Sequence, residues 1–110
     1  MKVKQLTPAI MFVSAFLISN QAHAVNFGPA KITAYHLNSL IEGRGPCVRT
    51  NPPAISNSGW ICIYKNQALY TEIRDFLSRA WENRRTCNFS WTILDRDGHA
   101  RLELVECGPS

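Results

Sequence analysis

Four cysteines constrain this chain more than any other feature: Cys47, Cys62, Cys87 and Cys107. An even count in a short exported chain reads as a disulfide framework. No C-x2–4-C pair occurs among them, whereas structural zinc sites nearly always contain one. The expectation is therefore two disulfides, no metal and no cofactor. Such staples are needed, because a domain this small buries too little apolar surface to be comfortably stable without them.

The case for export lies at the N-terminus. Lys2 and Lys4 form a basic start, Pro8 to Ile18 is an apolar run, and Ala22-His23-Ala24 supplies a small-x-small cleavage site. The run is too short to span a bilayer, which takes ~20 apolar residues. Residues 1–24 are thus expected to be a signal peptide and residues 25–110 a single mature domain with no membrane span. The compartment expected is periplasmic or extracellular. Once Lys2 and Lys4 leave, ten basic and eight acidic residues remain, a net charge of +2. That is too weak and too dispersed for a nucleic-acid partner, which needs clustered basic charge.

Hydrophobic periodicity gives the element order. Lys31 to Leu37 reads as a strand, after an entry segment Asn26-Phe27-Gly28-Pro29 rich in turn residues. Its two faces carry Ile32, Ala34 and His36, and Thr33, Tyr35 and Leu37. A second extended piece surrounds Cys47, and Trp60 to Tyr64 forms a third. Leu69, Ile73, Phe76, Leu77 and Ala80 recur at three and four residues and predict a helix over 67–83, with Asn66 as its N-cap. Cys87, Phe89, Trp91 and Ile93 alternate with polar residues, and Asp97-Gly98 is a strong hairpin dipeptide before a last strand, Ala100 to Cys107. Three strands, a helix and two strands make an α+β, mainly β chain. The order matches the OB-fold, a small five-stranded barrel with its helix between strands three and four. A five-stranded sheet in another topology, covered by the same helix, has the same periodicity.

This order places Cys47 beside Cys62 and Cys87 beside Cys107. The register of the last hairpin stays open. A three-residue loop sets Cys87 opposite Cys107, while a two-residue Asp97-Gly98 turn sets Trp91 opposite Leu104 and leaves the cysteines one residue out of step. A β-bulge reconciles the two.

Chemistry-bearing patterns are few. His36 and His99 offer an acid–base pair for a small secreted nuclease or hydrolase, but His99 follows a turn and His36 lies in a strand without a motif. Asp95-x-Asp97-Gly98 begins like a calcium loop, yet its fifth position is His99 and its glycine comes two residues early, so it reads as a turn. The aromatics are numerous: Trp60, Trp81, Trp91, Tyr35, Tyr64 and Tyr70. Trp91 is expected in the core and Trp81, beside the apolar stripe, partly exposed. Trp60 and Tyr64 are the candidate ligand-binding residues, since aromatic faces stack on sugar rings.

Five short pieces resemble a known family: Ile32-Thr33-x-x-His36, Gly45-Pro46-Cys47, Gly59-Trp60-Ile61, Gln67-Ala68-Leu69-Tyr70 and Cys107-Gly108-Pro109. Together they resemble the B subunits of pertussis-like bacterial toxins, of the subtilase-cytotoxin and typhoid-toxin type, and related small exported bacterial proteins. The resemblance implies an OB-fold, a pentameric ring of identical copies, a toxin A subunit as partner, and glycan binding. The serine with which those subunits hold a sialylated sugar has no counterpart, because Phe27-Gly28-Pro29-Ala30-Lys31 fills the comparable stretch. The expected function is a non-enzymatic exported module that binds a glycan or a protein. The alternatives are the hydrolase using His36 and His99, and a periplasmic inhibitor or envelope protein.

Overall fold

A computed structural model describes residues 23–109. The signal-peptide reading of residues 1–24 lies outside these residues except for its last two. The elements run β1 (Val25–His36), β2 (Arg44–Asn51), β3 (Ile61–Tyr64), α1 (Tyr70–Glu82), β4 (Thr86–Leu94) and β5 (Ala100–Cys107). The five strands form one mixed sheet in the order β1-β2-β3-β5-β4, closed into a barrel by pairing of β1 with β4.

Closure depends on the length of β1. Its first half pairs with β4 from Val25↔Trp91 to Lys31↔Thr86, and its second half pairs with β2 from Lys31↔Asn51 to His36↔Cys47. The stretch Asn26–Pro29, expected as an entry turn, is therefore strand. Its turn residues serve a register shift between Phe27 and Ala30. Gly28 has φ +137°, and a Cβ there would sit 2.7 Å from the Cys87 carbonyl oxygen, so only glycine lets the two backbones approach. A second shift, between Ile32 and Ala34, interrupts the expected alternation: Ile32 is buried, His36 is exposed, and Tyr35 packs partly against the core.

Inside the barrel Ile32, Val48, Ile61, Ile63, Phe89, Trp91 and Leu102 form one cluster with Leu77 and Ala80 of α1. Both disulfides join directly paired residues, Cys47 to Cys62 across β2–β3 and Cys87 to Cys107 across β4–β5. No free cysteine is present among the described residues. The last hairpin adopts the register that sets the cysteines opposite each other. An irregularity beside Trp91 pairs it with Leu102 rather than Leu104.

The helix begins later than its periodicity implies. Asn66 is not its cap; Leu69 holds that position in a left-handed conformation, φ 62°, with no side-chain cap. Gln67 lies outside the helix and acts as a clamp. Its Oε1 accepts the Tyr64 N–H at 2.7 Å, and its Nε2 donates to the Leu102 carbonyl at 2.8 Å. The expected apolar stripe is correspondingly shorter. Leu77 and Ala80 are buried, Ile73 and Phe76 only partly so, and Leu69 is 62% exposed.

Candidate functional site

Along β3, Ile61 and Ile63 point into the core, so Trp60 and Tyr64 fall on the opposite, outward side, with Cys62 between them. Each aromatic ring organises a group of polar residues on that side.

Trp60 is held through its backbone. Its carbonyl accepts the Ala100 N–H and the Ser56 hydroxyl, both at 3.0 Å, and its N–H donates to Ser58 Oγ at 3.1 Å. The indole meets His36 at 5.3 Å and His99 at 6.5 Å between ring centroids. The Arg49 guanidinium lies 4.5 Å from its centroid, within cation–π range. The structure thus brings the two candidate histidines to one residue. They meet as neighbours of an aromatic ring, and no nucleophile or carboxylate is hydrogen-bonded to either imidazole among the described residues. Burial, followed by the charge of Arg44, pushes the His99 pKa below its ordinary value, and its Nδ1 is buried without a hydrogen-bond partner.

Tyr64 belongs to the second group. Its hydroxyl donates to Asp95 Oδ2, and the Arg101 guanidinium lies 5.6 Å from its ring. Arg44 Nη2 donates to Asp95 Oδ2 and Asp97 Oδ2, each at 2.7 Å, from a side chain only 9% exposed. Asp95 Oδ1 accepts the backbone N–H of Asp97 at 2.9 Å and of His99 at 3.0 Å, which closes the turn. In the sequence that resembled a calcium loop, a guanidinium therefore lies between the two carboxylates. Burial alone would raise the Asp95 pKa, but the Tyr64 hydroxyl, the two backbone N–H groups and the Arg44 charge outweigh it and hold it at about 2. Burial first, then the adjacent Asp95, pushes Tyr64 up to about 12. At neutral pH the pair is a phenol donating to a carboxylate.

The outward side of β2, β3 and β5 therefore carries two aromatic rings, each with an arginine beside it. Arg49 and Arg101 were not singled out in the sequence. Their only signal there is alternation, which puts each on an outward strand position. A separate cleft of about 580 Å³ lies at the C-terminal end of α1, with Trp81, 41% exposed, in its wall.

No protein-family model matches this chain, and no curated protein matches its sequence. Among the described residues no helix is long and apolar enough to cross a membrane. The two disulfides point to a compartment outside the reducing cytoplasm.

Proposed function

We propose that this chain is an exported, non-enzymatic binding domain of the OB-fold type, whose ligand lies across the outward side of β2, β3 and β5. The observation that carries the reading is the Trp60 group: an indole fixed at its backbone, flanked by His36 and His99, with Arg49 over its ring. Tyr64 with Arg101 extends the same chemistry along the strand. A cationic aromatic surface favours a partner with acidic groups, either a glycan or an acidic protein segment. The strand order and the helix between β3 and β4 support the OB-fold reading, and ligands of that fold often lie on its strand-two and strand-three face.

Strand β1 begins at Val25, the residue that cleavage after Ala24 leaves first, which supports a signal peptide over 1–24. The toxin-subunit resemblance extends the reading to a ring of identical copies joined to a toxin A subunit. A glycan array probed with the mature protein and with Trp60→Ala and Arg49→Ala tests the site. Binding that both changes abolish supports it, and binding that survives both removes it. Native mass measurement tests the ring, and a strict monomer ends that part. Cleavage of RNA that His36→Ala or His99→Ala abolishes would replace the binding module with the hydrolase.

A further inference from the structure

We propose a second, separate ligand site: the cleft at the C-terminal end of α1 binds a ribonucleoside monophosphate. Its walls include Lys31, Thr33, Asn51, Trp81, Glu82 and Arg84, and its volume, about 580 Å³, suits a ligand of that size.

The indole supplies the platform. One face of Trp81 stacks on Tyr35, with centroids 5.5 Å apart and planes 15° from parallel. Trp81 lines the cleft and is 41% exposed, so part of the indole stays open beside its stack on Tyr35. Trp81 contributes little to the core from this position, and a partly exposed indole backed by a second ring is a stacking surface for a flat base.

Arg84 supplies the second, independent observation. The helix ends in a Schellman motif: the Arg85 N–H donates to the Ala80 carbonyl at 3.0 Å and the Arg84 N–H to the Trp81 carbonyl at 3.3 Å. The residue between helix and strand in such a motif adopts the left-handed conformation, and glycine is usual there because a Cβ is strained. Here it is Arg84, at φ 54°. Glycine would relieve that strain and a cation suits the C-terminal end of the helix dipole; the arginine at this position sets its guanidinium in the cleft wall. No ion pair engages Lys31, Arg84 or Glu82 among the described residues, so their charges are available to a ligand.

The groups match a nucleotide part by part. The base stacks on Trp81, and Asn51 and Thr33 offer donors and acceptors to its edge. Lys31 and Arg84 face the phosphate, whose charge near −2 at neutral pH matches two cations. Glu82 accepts from the vicinal ribose hydroxyls. A monocarboxylated sugar can also lie on an indole, but it would neutralise only one of the cations.

Calorimetric titration of the disulfide-bonded mature protein at low salt tests the assignment, with adenosine monophosphate, adenosine and glucuronate as probes. Saturable binding of adenosine monophosphate is expected, with adenosine and glucuronate roughly tenfold or more weaker. Trp81→Ala should weaken the nucleotide by roughly tenfold, the scale of one base–aromatic stack. Arg84→Gly is the sharper variant: it should lose affinity by a similar factor while the melting temperature holds or rises. No saturable nucleotide binding at millimolar concentration overturns the proposal. So does undiminished binding in Arg84→Gly, a lowered melting temperature in that variant, or glucuronate binding as tightly as the nucleotide. The Trp60 surface lies outside this cleft, so the glycan-array result and this one stand or fall separately.

Discussion

At the scale of single residues, the strongest polar arrangement is Arg44 between Asp95 and Asp97, with Tyr64 on the same Asp95 oxygen. Arg44→Ala removes two charge-assisted hydrogen bonds from a nearly buried position, while Asp95 keeps the Tyr64 hydroxyl and two backbone donors. The expected cost is about 1.5–3 kcal/mol. Asp97→Ala removes only the more exposed partner and should cost distinctly less. Urea denaturation of both variants checks the order, and equal losses would show that Asp97 rather than Asp95 anchors the arginine. The same groups set the pH limits. The folded Asp95 pKa is depressed, so its stabilisation is complete above pH 3.8 and is lost as pH falls toward about 2. His99 is also depressed, so stability begins to decline once pH drops below 6.5. The folded Tyr64 pKa is raised, so its contribution is complete below pH 10 and is lost as pH rises through about 12. Asp95→Asn should flatten the acid limb of a melting-temperature profile, and an unchanged limb would assign it to other carboxylates. Of this network the sequence shows only the Asp97-Gly98 turn. Arg44 and Asp95 are 51 residues apart, and nothing local in either segment announces the other.

At the scale of elements, the helix shows where periodicity is informative and where it misleads. The three-and-four spacing correctly places Leu77 and Ala80 in the core. It extends the stripe one turn too far, because Leu69 leaves the helix in a left-handed conformation and Gln67 is drawn into hydrogen bonds with β3 and β5. Both are tertiary effects that an apolar count does not register. Phe76 lies at the open side of the helix, lining an apolar groove with Leu69 and Leu104, and Leu77 is 0% exposed. Leu77→Ala should therefore cost about 2–5 kcal/mol. Phe76→Ala should cost distinctly less than the 3–5 kcal/mol typical of a buried phenylalanine. Thermal melts of the two variants decide it, and a larger loss at Phe76 would mean that the groove closes in solution. The entry strand is the opposite case. Gly28 and Pro29 look like a turn in any local reading, and only the pairing partner β4 makes them strand.

At the scale of the whole molecule, the element order and both cysteine pairings were legible because they depend on local alternation and on which strands adjoin. A closed barrel is expected from that order, but periodicity does not separate it from another five-stranded topology, since closure rests on the first half of β1 reaching β4 and on a parallel contact between β3 and β5. That contact is where the barrel is thinnest. Strand β3 has four residues and meets β5 only at Ile61↔Ala100 and Cys62↔Arg101. The bridges close sequence separations of 15 and 20 residues. Chain entropy makes each worth ~3 kcal/mol and separates them by only about 0.3 kcal/mol, in favour of the longer loop. Local support reverses that order. Cys87–Cys107 ties strands β4 and β5, which already pair along most of their length. Cys47–Cys62 ties the short β3 to β2, and with it the closing contact to β5. Replacing Cys47 and Cys62 with alanine should therefore lower the melting temperature more than replacing Cys87 and Cys107, and should speed amide exchange at Ile61–Tyr64 first. With both bridges absent, a loss of about 6 kcal/mol approaches the entire stability of a domain this size, and the reduced chain should be unfolded at 37 °C by circular dichroism. If the Cys87–Cys107 pair proves the more damaging loss, loop entropy and not the weakness of β3 governs how this barrel stays closed.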